Sequence, residues 1–313
     1  MGKRTVVVTG GAGFIGSHVV ERLLAEGASV RVVDNLSTGK RANLDGFTGD
    51  LTLHAVSFTD LDAIRPIFDG AELVYHIGAL PSVPRSVANP LESNHHNIDG
   101  TLNVLVAARD AGVGRVVYAA SSSAYGDVDV DYKVETITPG PLSPYGVAKL
   151  AGEYYCHAFT ASYGLETVCT RFFNVFGPRQ DPNSHYAAVI PKFTRLLLGG
   201  QPPTIYGDGT QSRDFTYIDN VIHGLMLAGD APEASGHTVN LATAGRITLI
   251  ELVDALNELL GTNLAPVFLA PRPGDIQHSR ADVTKAKQLL GYEPQVAFAD
   301  GLARTVRWYR QRE

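Results

Sequence analysis

The chain has 313 residues, 44% of them hydrophobic and 19% charged, with a formal net charge of −6. That length suits one large α/β unit or two closely joined domains, and the composition is that of a folded globular protein. No dense block of Lys or Arg is present, which argues against nucleic acid or an anionic membrane surface as a partner but leaves a small anionic ligand open.

The chain starts Met1-Gly2-Lys3-Arg4, and the apolar run that follows is too short for a secretory signal. No run reaches the length of a membrane span, so the expected setting is the cytoplasm. Thr5 to Thr9 predicts a buried strand, and Ser17 to Glu26 a helix stopped by Gly27, with Val19 and Leu23 stacked beside Val20 and Leu24. Between them lies Gly10-Gly11-Ala12-Gly13-Phe14-Ile15-Gly16. Glycines there permit a tight turn and let backbone N–H groups approach a pyrophosphate, which the helix N-terminus also favours. Ser29 to Val33 is the next strand, and Asp34 stands at its end. A carboxylate at that place accepts hydrogen bonds from an adenosine ribose and repels a 2′-phosphate, so NAD is expected rather than NADP. A glycine turn followed by a surface Asp is the bland alternative; the strand before and the helix after weigh against it.

Leu73 to Ile77, Arg115 to Ala120 and Glu166 to Phe172 are further strands, each after a helical stretch. Such alternation predicts a Rossmann-like doubly wound parallel sheet. Past about residue 174 Pro and Gly become frequent, which predicts a smaller, loop-rich C-terminal lobe with helices at Ile247 to Leu260 and Thr284 to Leu290. The expected division is 1–173 for the dinucleotide-binding domain and 174–313 mainly for the substrate lobe, with about 212–243 returning to the first.

Tyr145 and Lys149 are four residues apart and share a helix face. A phenol ionises near pH 10, and a nearby ammonium together with a positive nicotinamide would favour its phenolate. Alone, this spacing is common. What adds weight is Ser121-Ser122-Ser123 after the strand Val116 to Ala120, because ligands bind beyond the carboxyl ends of parallel strands. Ser121 is first off the strand and is the choice; Ser122 and Ser123 remain alternatives. Cys156 and Cys169 read as buried thiols of a reducing compartment, and His95-His96 lacks the spacing of a helical metal site, so no metal is expected.

Together, TGGAGFIG, DNLSTG (Asp34 to Gly39), SSSAYG (Ser121 to Gly126), SPYGVAK (Ser143 to Lys149), RFFNVFGPRQDP (Arg171 to Pro182), SRDFTYIDNV (Ser212 to Val221) and RPGD (Arg272 to Asp275) resemble the extended short-chain dehydrogenase/reductase family, in particular its nucleotide-sugar 4-epimerases. The resemblance covers nearly the whole chain. It implies an NAD site made by Gly10, Gly13, Phe14, Ile15, Gly16, Asp34, Asn35, Ser37, Gly39, Phe58, Phe172, Tyr145 and Lys149. It implies that Tyr145 takes the proton of the sugar C4 hydroxyl, that Ser121 holds that oxygen, and that Lys149 holds the nicotinamide ribose. For the UDP-sugar it implies Ser82, Ser123, Asn174, Ala188, Val189, Arg213, Arg272, Asp275 and Ser279, with Arg213 and Arg272 clamping the diphosphate. It also implies a homodimer, paired through the Asn97 to Ala111 stretch and the helix that starts at Tyr145. One departure is Ser57, where the family usually carries an Asp near the adenine.

Related dehydratases and UDP-glucuronate decarboxylases carry an acid just after the Ser/Thr, whereas Ser122 and Ser123 stand here, which favours plain epimerisation. In this resemblance Ser82 to Ser86, Asn174 through Pro191-Lys192 and a small residue at 279 point to N-acetylated UDP-hexosamines: UDP-GlcNAc/UDP-GalNAc, with UDP-glucose/UDP-galactose as a further pair. UDP-glucuronate 4-epimerisation is the runner-up, dehydration or decarboxylation follows, and an NAD-sensing regulator is the non-enzyme alternative.

Overall fold

Val6, Val7 and Val8 are all fully buried, the first and third in one core and the second in another. Side chains of a strand alternate between faces, so this strand is covered on both sides, as in a parallel sheet wrapped by helices. The computed structural model describes residues 3–182, 188–271 and 277–312. The first part runs β1 (Thr5–Thr9), α1 (Phe14–Ala25), β2 (Ser29–Val33), β3 (Asp50–His54), α2 (Leu61–Ile64), β4 (Leu73–His76), α3 (Val83–Ala88), α4 (Pro90–Asn94), α5 (Gly100–Asp110), β5 (Arg115–Ser121), α6 (Pro144–Tyr163) and β6 (Glu166–Phe172). There follow β7 (Val175–Phe176), α7 (Val189–Leu198), β8 (Thr204–Tyr206), β9 (Ser212–Arg213), β10 (Thr216–Tyr217), α8 (Ile218–Asp230), β11 (His237–Leu241), β12 (Ile247–Thr248), α9 (Leu249–Leu260), β13 (Val267–Leu269), β14 (His278–Ser279), α10 (Thr284–Leu290) and α11 (Phe298–Arg310).

The main sheet has seven strands in the order β11-β6-β5-β4-β1-β2-β3, every pair parallel. It is the Rossmann-like doubly wound sheet that the alternation predicts. The order reverses between β1 and β4, the switch point at which such a sheet leaves a crevice beyond its carboxyl ends. One core packs Val19, Val20 and Leu23 of α1 and Leu225 of α8 on one face. The other packs Val104, Leu105 and Ala108 of α5 and Cys156 and Phe159 of α6 on the opposite face.

Several boundaries differ from the sequence reading; α1 ends at Ala25 and β4 at His76, each one residue early, and three other differences are larger or bear on the site. Helix α1 begins at Phe14 rather than Ser17, straight out of the glycine turn. Strand β5 runs on through Ser121, so that serine is held by the sheet itself. Residues Ile247–Thr248 form a short strand instead of the start of α9; Thr248 caps that helix in a capping box with Glu251, which sets its first turn at Leu249.

Helix α6 positions most of the chemistry. Ser143 Oγ caps it by accepting the Gly146 N–H at 3.1 Å, Pro144 fits the first turn, and Gly164 in the left-handed conformation ends it. Gly152 lets it lie close on β5: a Cβ there would come within 2.2 Å of the Tyr118 hydroxyl. Among the described residues, no helix is long and apolar enough to cross a membrane, and no group of three or more His, Cys, Asp or Glu is placed to hold a metal.

Candidate active site

At the switch point, Gly10 adopts φ +67° and packs against Gly78, whose Cα a Gly10 Cβ would meet at 2.6 Å. Gly16 is just as constrained, since its Cβ would fall 2.1 Å from Gly10 O. The N-cap of α1 is Gly13, which offers no side-chain cap. The first N–H groups of α1 therefore lack the usual oxygen partner, and the positive end of the helix faces the crevice. Phe14 and Ile15 are half-buried there. This donor set fits a dinucleotide pyrophosphate.

Asp34 is buried at the end of β2 and is already engaged by backbone donors. Its Oδ2 accepts the Ala12 N–H at 3.0 Å and its Oδ1 the Leu36 N–H at 2.8 Å, which ties the glycine turn to the loop after β2. Burial raises its pKa, and these backbone bonds oppose the rise. Gly39 lies directly on the carboxylate; a Cβ there would meet Oδ2 at 2.7 Å. Asn35 and Ser37 are exposed on the same loop, where Asn35 Oδ1 accepts the Ser37 N–H at 3.1 Å. Phe58 is buried, its ring wedged against Gly78 and Gly100 and edge-on to His76 with centroids 5.5 Å apart. Its side chain therefore shapes the crevice by packing. At the neighbouring position Ser57 turns its hydroxyl to Thr59 Oγ1 at 2.8 Å.

Beneath the crevice His76 is fully buried. Thr101 Oγ1 donates to Asn97 O at 2.7 Å, so it must accept from His76 Nε2, 3.0 Å away. That leaves His76 Nδ1 to accept from Thr9 Oγ1 at 2.6 Å, while Thr9 in turn accepts the Gly78 N–H at 3.1 Å. The ring is thus neutral, with its pKa pushed down to about 3 by burial and by the Lys149 ammonium.

Ser121, Tyr145 and Lys149 come together where α6 crosses the end of β5. Lys149 Nζ is buried, donates to Ala119 O at 2.7 Å and lies 4.9 Å from the Tyr118 ring centroid. Burial lowers its pKa to about 8, and Cys156 and Glu153 pull the other way. Tyr145 is half-buried by solvent contact, yet the packed protein around its phenol pushes its pKa up to about 12, against a hydrogen bond with Ser121 that lowers it. The balance in the chain alone is therefore upward, because burial outweighs the Ser121 hydrogen bond. Ser121 Oγ donates to Ser123 Oγ at 3.1 Å and accepts the Ser123 N–H at 3.1 Å, which draws two of the three serines into one cluster. Ser86, noted only as part of the Ser82 to Ser86 stretch, makes an unforeseen contact: its Oγ accepts the Tyr145 N–H at 3.1 Å and donates to Val83 O at 2.7 Å. It sits on α3, whose N-cap is Ser82, held at φ 107° and accepting the Arg85 N–H.

Phe172 is the register partner of Ser121, and two residues further on Asn174 lines a cavity of about 320 Å³. That cavity gathers Asn174, Ala188, Val189 and Arg213, all singled out from sequence, and adds Lys192, Thr204, Tyr206, Gln211, Phe215 and Leu249. Gln211 Nε2 donates to Tyr206 O at 2.6 Å, fixing the turn between β8 and β9. Ser279 pairs with Arg213 in the register of β14 and β9 and is buried beside it. Arg272 and Asp275 lie outside the described residues. Of the added residues, Thr204 and Tyr206 escaped the sequence reading because a three-residue strand has no periodicity, with the Tyr206-Gly207-Asp208-Gly209 turn as their one signal; Lys192 lies on α7, Leu249 opens α9, and Phe215 falls within the Ser212 to Val221 stretch.

A parallel sheet with an open glycine turn at its switch point, and a tyrosine–lysine helix laid over β5, defines a dinucleotide-dependent enzyme of the dehydrogenase-like class. Within that class the chain belongs to the NAD dependent epimerase/dehydratase family, whose model matches residues 6–242. A protein of Mycolicibacterium smegmatis named UDP-glucose 4-epimerase is 38% identical over 311 residues, 98% of each chain. The UDP-N-acetylglucosamine 4-epimerase of Methanobrevibacter ruminantium, solved with UDP-N-acetylmuramic acid, is 39% identical and superposes with a TM-score of 0.95 over 100% of both chains. The UDP-glucose 4-epimerase of Thermotoga maritima, solved with UDP-glucose, is 39% identical with a TM-score of 0.94, over 98% of this chain and 99% of that one.

Proposed function

We propose that the protein epimerises a UDP-sugar at C4, with UDP-GlcNAc/UDP-GalNAc as the preferred pair and UDP-glucose/UDP-galactose as a second. The observation that carries this reading is the cluster of Ser121, Tyr145 and Lys149 at the end of β5, next to a cavity walled by Asn174 and Arg213. When bound, the nicotinamide supplies reversible two-electron redox chemistry at the sugar carbon. Tyr145 removes the proton of the C4 hydroxyl and later returns it, and Ser121 holds that oxygen through both steps. Lys149 keeps a positive charge beside the phenolate as it forms. The 4-keto sugar turns over between the two half-reactions while Arg213, with Arg272, retains the diphosphate. Asn174, Ala188 and Val189 bind the nucleotide side, Ser82, Ser123 and Ser279 face the hexose, and Asp275 takes a ribose hydroxyl. The hydroxyls of Ser122 and Ser123 give no carboxylic acid for elimination at the neighbouring carbon, which supports simple epimerisation.

The reading also includes a homodimer in the cytoplasm. The Asn97 to Ala111 stretch carries no exposed large hydrophobic residue; Val87, Leu91, Val147 and Tyr154 on α3, α4 and α6 are instead 50% or more exposed, and an apolar hollow of about 510 Å³ lies between Leu91, Ile98, Leu142 and Val147. An apolar patch of this kind on a globular protein marks a partner surface, and a second copy would cover it isologously. Two free, buried cysteines suit a reducing compartment.

Substrate deuterated at C4 tests the chemistry. Redox epimerisation keeps the deuterium in the epimer, and solvent deuterium does not enter carbon. Loss of the label to solvent would contradict the mechanism.

A further inference from the structure

Lys133 lies between β5 and α6, is 1% exposed, and takes no part in the steps above. An ammonium is costly to bury, yet this one donates to a neutral acceptor, Gly126 O, at 3.0 Å. Gly126 ends the segment that begins at Ser121, and Lys133 Nζ stands 5.9 Å from the ring of Tyr125 in that same segment. The Lys133 backbone is bound elsewhere. Its N–H donates to Arg280 O at 2.8 Å, and its carbonyl accepts from Asp282 N at 3.0 Å and from Asn240 Nδ2 at 2.9 Å, so that it bridges to Ala281. Ala281 is two residues beyond Ser279, whose strand pairs with Arg213. Lys133 therefore ties together two segments that carry the proposed sugar-site residues, Ser121–Gly126 with Ser121 and Ser123, and Ser279–Asp282 with Ser279. A second tie between them is uncharged: the Tyr125 hydroxyl donates to Asn240 Oδ1 at 2.7 Å, and Asn240 Nδ2 donates to Asp282 O at 3.0 Å. A bond from an ionised donor is stronger than a neutral one, which suits it to fix a spacing.

We propose that Lys133 is a positioning residue for sugar selectivity, its side chain setting the gap between the Ser121–Gly126 wall and the Ser279 wall and thereby the size of substituent the hexose site admits. The proposal rests on the 4-epimerase reading. The test compares kcat and KM for UDP-GlcNAc and UDP-glucose in the wild type, Lys133→Met and Lys133→Arg, each with its NAD, and measures UDP affinity by calorimetry. Lys133→Met keeps the stem and loses the ammonium. It should change the ratio of kcat/KM between the two sugars by about five-fold or more, mostly through KM of the bulkier one, with UDP affinity within about two-fold and Lys133→Arg near the wild type. An equal fall on both sugars, or loss of UDP affinity in parallel, would make Lys133 merely structural and overturn the proposal. Should Lys133→Met not fold, Tyr125→Phe removes the other tie, and an unchanged sugar ratio there overturns it equally. If the wild type converts neither sugar, the epimerase reading fails and takes this one with it. If the wild type is active and the ratio stays put, only this inference falls.

Discussion

At Tyr145 burial and catalysis pull in opposite directions. With the phenol's pKa at about 12 in the chain alone, very little phenolate exists at neutral pH, so a base there needs additional positive charge when substrate is present. Tyr145→Phe should lower kcat by about 10² to 10⁴-fold and leave UDP affinity, measured by calorimetry, unchanged; a variant with near-normal turnover would remove Tyr145 from the chemistry. His76 and His18 give a second residue-level consequence. His18 Nε2 donates to Pro178 O at 3.0 Å while its Nδ1 accepts from Arg179, and its pKa, like that of His76, is pushed down to about 3. Unfolding lets each ring return to its usual value of about 6.5. Their neutral forms thus support the fold above that pH, and the support is lost as pH falls from about 6.5 toward 3, by about 1.4 kcal/mol per pH unit for each ring. In urea titrations, His76→Asn should be less stable at pH 7.5 and should show a slope shallower by that amount between pH 6 and 4. An unchanged slope would mean the ring is not held neutral. Ser121, Tyr145 and Lys149 were legible because each lies in a contiguous stretch with local meaning. The role of Ser86 was not, because its contact with the Tyr145 N–H crosses from another helix and leaves no trace in spacing.

Two contacts between elements hold the site, and both depend on a missing Cβ. Gly152→Ala would drive a methyl into the Tyr118 hydroxyl, lift α6 from β5 and displace Tyr145 and Lys149 together. The expected result is about 1–3 kcal/mol of lost stability and a fall in kcat larger than any change in KM, read from denaturation and steady-state kinetics. Gly16→Ala places its Cβ 2.1 Å from Gly10 O, so the glycine turn must open. NAD binding, followed by fluorescence, should weaken at least about ten-fold because the N–H groups lose their aim; normal affinity would show that the pyrophosphate does not sit there. Strands β1, β2 and β6 were readable to the residue, as apolar runs bounded by Gly or polar residues. Strand β3 was not, since Asp50–His54 is an edge strand with no buried residue. Strand β11 lies far along the chain, past the loops of the substrate side, and joins β6 by a pairing that periodicity cannot signal.

For the whole molecule, the apolar surface of α3, α4 and α6 lies on the same helices that set Tyr145. Leu91→Glu combined with Val147→Glu should turn a dimer into a monomer in sedimentation velocity; a wild type that already sediments as a monomer would dispose of the homodimer. The fold was legible from motifs, and on the sugar side the resemblance already pointed to Arg213 on β9 and Ser279 on β14; the Lys133 segment beside them was not legible, because only tertiary structure brings it there. The central claim is tested most directly by product analysis of the purified protein with UDP-GlcNAc and, separately, UDP-glucose, first without and then with added NAD. Conversion of UDP-GlcNAc to UDP-GalNAc, with slower or no conversion of UDP-glucose, is the predicted result. No conversion of either sugar with NAD supplied, or a dehydrated product in place of the epimer, would contradict the account.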